Sequence, residues 1–155
     1  QNNAQANIYG FEAGFQVRLT KDIEITSQFS LTKGRQKNTH NAEVPVRHVA
    51  PAFGNAHLLW KHKKITLDGF INYSAGLTYK DISHELSNHL FAIDANGNPY
   101  APAWMTFNIR AQYQFTENIS FVSALENISN EGYRPFASGI SGPGTHLIFA
   151  ITYKN

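Results

Sequence analysis

Cysteine is absent from all 155 residues, which excludes disulfides, thiolate metal sites and cysteine nucleophiles. Charge is sparse too: Asp, Glu, Lys and Arg make up 15% of the chain, below the usual share of about a quarter in soluble domains. No run of about 18 apolar residues occurs, so a transmembrane helix is excluded. The chain opens on Gln1 with no basic segment and apolar core behind it, so no signal peptide is expected in this stretch. A net charge of +2 is too small to argue for a nucleic-acid partner. What the chain has in quantity is aromatic side chains, 13%, with eleven Phe and seven Tyr. Together with a negative mean hydropathy, this suits a sheet that shows rings on one face and small polar groups on the other.

The dominant pattern is alternation at period two, which separates apolar and polar sets cleanly on a strand and scatters them on a helix. Tyr9, Phe11, Ala13, Phe15, Val17 and Leu19 share one parity, opposed by Glu12, Gln16 and Arg18. Six more segments follow: Ile23 to Leu31, a weaker Ala56 to Trp60, Ile65 to Tyr79, Met105 to Phe115, Ile119 to Leu125, and Leu147 to Tyr153. Short turns at 20–22, 62–64 and 116–118 alternate with long Gly-, Pro-, Asn- and His-rich stretches at 34–51, 80–103 and 127–144. That layout predicts an all-β, antiparallel, up-and-down transmembrane barrel with periplasmic turns and extracellular loops. Tyr9, Trp60, Tyr79, Trp104 and Tyr153 are expected in interfacial belts, at strand ends. On this reading Glu12, Gln16, Arg18, Asp68, Asn108 and Arg110 line the lumen.

Parity adds a constraint. Single-chain bacterial barrels have an even number of strands, and seven leaves the two chain ends on opposite sides. The expectation is therefore the C-terminal portion of a larger barrel, unless a short strand lies within 80–103. A small complete structural or adhesive barrel, or a soluble β-barrel or sandwich with its aromatic face buried, are the alternatives.

Several motifs resemble those of TonB-dependent outer-membrane receptors, especially the Bacteroidetes type. Ala6-Asn7-Ile8-Tyr9-Gly10-Phe11-Glu12 resembles an A-x-I-x-G-x-E strand, and Val44–Gly54 resembles the loop entering a new strand. Trp104–Arg110 resembles the opening of the last hairpin. Glu126-Asn127-Ile128-Ser129-Asn130 through Tyr133-Arg134-Pro135, followed by Gly142-Pro143-Gly144, is the most specific block. The resemblance implies that residues 1–155 form about a third of a 22-stranded wall whose plug and TonB-contacting box lie elsewhere. It implies no enzyme and no resident cofactor. It implies a location in the bacterial outer membrane among its lipids, TonB as partner through the plug, and a scarce nutrient as ligand. The ligand classes are ferric siderophore, cobalamin and haem, with siderophore first as the commonest. The family usually ends in an aromatic residue; here Tyr153 is followed by Lys154 and Asn155.

His40, His48, His84 and His89, with Glu85, sit in the long loops and are candidate ligand contacts, as are Tyr133 and Arg134. Neutral imidazole is a good iron ligand, but the spacing defines no ligand set, so solvated loop histidines are the plainer reading. Asp94-Ala95-Asn96-Gly97-Asn98 places oxygens at alternate positions but lacks the closing bidentate Glu of a calcium loop; an Asn-Gly turn is expected. Lys61, His62, Lys63 and Lys64 read as a solvated basic turn. No G-x-S-x-G elbow or paired acids point to catalysis.

Overall fold

The computed structural model describes residues 5–38, 40–83 and 90–154. Seven long strands form one antiparallel sheet: β1 (Ala6–Arg18), β2 (Ile23–Lys37), β4 (Phe53–His62), β5 (Ile65–Ser74), β8 (Trp104–Gln114), β9 (Ile119–Glu126) and β10 (His146–Tyr153). Their order in space is their order in sequence. Short β3 (Glu43–Pro45) pairs with the upper end of β2, and β6 (Ala92–Ile93) pairs only with β7 (Pro99–Tyr100). The extra strands within 80–103 therefore make a small loop hairpin and add nothing to the wall.

The register puts the apolar sets on one face throughout. One row runs Val17, Ile25, Leu58, Gly69, Ile109, Leu125, Leu147 across all seven long strands. This face is exposed: Phe11, Phe15, Leu58, Phe107, Phe149 and Ile151 all lie open. The polar face holds the buried residues instead, including Asp68, Ser74, Thr106, Asn108 and Ser120. A water-soluble sandwich buries its rings; this partition suits a wall with lipid outside and a polar interior.

The short turns are built twice from the same chemistry. Thr20 Oγ1 accepts from the amides of Asp22 and Ile23, at 3.2 and 3.0 Å. Thr116 Oγ1 accepts from Asn118 and Ile119, at 3.3 and 3.1 Å. A Ser or Thr hydroxyl bonding its own backbone two residues on is a local turn former.

Two expectations need correction. The fourth segment leaves the wall at Ser74, not at Tyr79. Leu77 instead packs with Ile82, Phe91, Leu90, Ala101 and Phe136 in a small loop core, and Tyr79 lies in a 3-10 turn. That cluster half-buries Leu77, which continued pairing would have left in the wall. Trp104 is not a lipid-side belt residue either. It stands opposite Ser74 on the polar face, and its ring meets Tyr133 at 4.5 Å. Tyr9, Trp60 and Tyr153 do lie on the exposed apolar face near strand ends.

Both strands flanking the last loop are short, 8 residues each. Asn127 is the cause on the β9 side: its φ is 50°, and the ladder resumes one residue late, with the Ile128 amide donating to Phe107 O at 2.9 Å. This is a one-residue bulge that bends the chain out of the sheet.

Candidate functional site

All six expected wall residues fall on the polar face, in three settings. Near the β1 edge, Arg18 pairs with Glu24 at 3.7 Å, Glu12 accepts from Ser30 Oγ at 3.4 Å, and Gln16 stands opposite Thr26. In the middle, Asp68 and Arg110 are cross-strand neighbours. They belong to a lateral chain of interactions spanning five strands. His57 Nδ1 lies 3.1 Å from both carboxylate oxygens of Asp68. The His57 ring stacks on Phe70 at 5.0 Å, and the Arg110 guanidinium sits 5.2 Å from the Phe70 centroid. Arg110 then reaches Glu126 at 3.5 Å, and Glu126 reaches His146 at 3.6 Å.

Sequence reasoning names Asp68 and Arg110 and misses His57, Phe70, Glu126 and His146. A signal exists for one of them. Phe70 is an aromatic at the parity of Asp68 and Asn72, and a ring on the wrong parity marks packing inside the wall. Phe53 and Trp104 break parity in the same way.

Asn108 differs from the others. It is buried, its amide donates to Phe70 O at 3.2 Å, and its Oδ1 accepts from the Asn127 amide at 2.9 Å. The Asn127 side chain bonds Glu131 and Pro143 carbonyls at 2.9 and 3.0 Å and accepts from the Glu131 amide at 2.8 Å. Asn108 and Asn127 thus fasten the last loop to the wall.

At the long-loop end the polar face opens into a groove of about 1080 Å³ bordered by Glu12, His48, Phe53, Trp104, Tyr133 and Phe136. His48 and Tyr133 are therefore brought together among the candidate ligand contacts. Tyr133 is set by its tilted ring contact with Trp104 and by the Gly142 amide, which donates to its carbonyl at 2.8 Å. Its ring fills the space a side chain at position 142 would need.

The other loop candidates lie apart. Arg134 borders a smaller apolar pocket with Phe91 and Tyr100, and His40 sits in the turn after Asn38. His84, Glu85 and His89 lie outside the described residues, as does Asn155. Among the described residues no group of three or more His, Asp or Glu gathers to hold a metal ion.

The Asp94 loop is a turn. Its Oδ1 accepts from the amides of Asn96 and Asn98, both at 2.8 Å, and Gly97 has φ +82°. The Asn98 amide, more than that of Asn96, holds the carboxyl below the usual carboxylate range.

Known proteins fit this geometry. Residues 1–128 match the family described as TonB dependent receptor-like, beta-barrel. No curated protein sequence matches the chain. Among solved structures, a copper transporter, OprC, superposes with a TM-score of 0.80 at 13% identity, over 96% of this chain and 23% of its own. The siderophore receptor PiuA from Acinetobacter baumannii gives 0.65 at 14%, over 97% and 22%. The FpvAI–pyocin S2 complex gives 0.62 at 14%, over 96% and 19%. The chain therefore spans less than a quarter of each neighbour's length. Barrels of this family are transport proteins of the bacterial outer membrane, not enzymes. With its family match, its lipid-side rings and its polar inner face, this chain belongs to the TonB-dependent receptor β-barrels.

Proposed function

We propose that residues 1–155 are the C-terminal wall of a receptor that imports a scarce nutrient, with ferric siderophore as the first ligand class and cobalamin or haem next. The observation carrying this reading is the loop-end groove. At about 1080 Å³ it reaches the size of small-molecule sites, and it mixes aromatic rings (Phe53, Trp104, Tyr133, Phe136) with Glu12 and His48. An organic iron chelate offers flat apolar surface and oxygen-rich polar edges, which such a lining accommodates. His48 and Tyr133 then contact ligand from the groove; His40, Arg134, His84, Glu85 and His89 are the further candidate contacts. Glu12, Gln16, Arg18, Asp68, Asn108 and Arg110 border the interior that a plug occupies. The plug lies upstream and carries the contact to TonB. PiuA, a siderophore receptor, shares the fold.

The test is uptake by the intact receptor in iron-limited cells, with ferric siderophores, cobalamin and haem supplied separately. Siderophore-dependent growth that falls on receptor deletion, and falls again in Tyr133→Ala, supports the reading. Growth rescued only through cobalamin or haem reassigns the ligand. An intact reading frame without a plug-sized segment upstream would sink the transporter reading itself.

A further inference from the structure

Three cations stand in a column on the lipid side of β2. Lys33, Arg35 and Lys37 share parity with Phe29 and Leu31, because alternate residues of a strand face one way. All three are exposed, while Gly34 and Gln36 between them are half-buried. A cation on the lipid face is costly at mid-bilayer and nearly free at its edge. Height places them at that edge. Counting from Ile23 at about 3.3 Å per residue and a tilt of about 40°, Lys33 rises about 25 Å, the height of the apolar band.

The column has a groove beside it, of about 370 Å³, bordered by Tyr9, Lys33 and Arg35 and by apolar Pro45, Pro51 and Leu77. Two carboxylates are near. Glu43 stands opposite Lys37, and Asp81 borders the groove, its Oδ2 accepting from Thr78 Oγ1 at 2.7 Å. Among the described residues no ion pair engages Lys33, Arg35 or Lys37. Tyr9 is the cross-strand neighbour of Lys33, and Phe11 of Leu31, so the groove continues downward into the exposed ring surface.

We propose that this groove and column hold the phosphorylated headgroup of an outer-leaflet glycolipid. Lys33, Arg35 and Lys37 bind its phosphates, and an acyl chain lies along Leu31, Phe11 and Phe29. Alternate residues on a strand sit about 6.6 Å apart, so the three cations span about 13 Å and suit a headgroup with more than one phosphate. The apolar wall on the lipid-facing side favours a lipid over a free anion.

The experiment uses the intact receptor in detergent micelles, with bis-phosphorylated lipid A as probe and native mass spectrometry as readout. The wild type is expected to retain the lipid, and Lys33→Ser/Arg35→Ser/Lys37→Ser to bind it about a hundredfold more weakly, at roughly one surface cation's contribution each. Lipid A stripped of both phosphates should bind the wild type as weakly. Lys33→Arg/Lys37→Arg should bind as the wild type does. Equal retention by wild type and the triple Ser variant overturns the proposal. So does equal retention of phosphorylated and stripped lipid by the wild type, a comparison that holds even where the variant fails to fold. Displacement by inorganic phosphate at matched concentration overturns it in favour of a free-anion site.

Discussion

The backbone amide of Asn127 donates to the side-chain oxygen of Asn108 at 2.9 Å, in a setting where both residues are buried. One asparagine sits in the wall and the other at the bulge where the last loop leaves it. The bond turns a break in the ladder into a fixed exit angle.

Replacing Asn127 with Ala should destabilise the intact receptor by about 1–3 kcal/mol, because the Glu131 amide and two carbonyls lose their partner. The left-handed φ of 50° adds strain for Ala. Limited proteolysis should then cut within 128–145. A cleavage pattern identical to wild type would remove the fastening role.

Leu58→Arg, on the exposed apolar face, should cost about 2–4 kcal/mol if it lies near the bilayer midplane. Thr66→Arg, at the parity of Asp68, should cost far less. Denaturant unfolding of the receptor in lipid vesicles compares the two. Equal costs would contradict the assignment of faces.

Gly54 faces Tyr73 across the β4–β5 pair, and a side chain there would press on the Tyr73 hydroxyl and on the Gln28 carbonyl. Gly54→Val should therefore lower the folded yield, at a cost of about 1–3 kcal/mol. Tyr73→Ala should restore only part, since Gln28 is backbone. Folded fraction by gel mobility before and after heating reads both; full restoration would mean that the ring is the whole obstacle.

Asp94 ties the β6–β7 turn through two amides, and its carboxyl titrates below the usual range. A lowered folded-state value stabilises the turn above the ordinary carboxylate range, and that contribution is lost as pH falls through the lowered value. The Asn96 and Asn98 amides should stay protected from hydrogen exchange at neutral pH and lose protection in stronger acid. Asp94→Asn should flatten that dependence. Protection of the wild type unchanged down through the acid range would refute the role.

Much of the wall was legible because alternation is a local signal: Val17, Leu58 and Ile109 each stand among apolar residues of their own strand's parity, which only one face can use. The turn at Asp94–Asn98 was legible for the same reason. The loops were not. Leu77 reads as a continued strand until Ile82, Phe91 and Phe136 offer it a closer apolar home, and that contact joins segments about 60 residues apart. Trp104 looks like a belt residue by position, and only its pairing with Ser74 reveals which way it faces. The interaction chain from His57 to His146 needs five strands in register before its members meet.

The paired threonine turns have a kinetic consequence. Each closes a short connection with hydrogen bonds of its own, at Thr20 and at Thr116, on the same end of the sheet. Chain closure is least costly across the shortest loops, and every wall strand pairs with its sequence neighbours. The hairpins therefore zip upward from the threonines, and the long loops with their small core are the last parts to set.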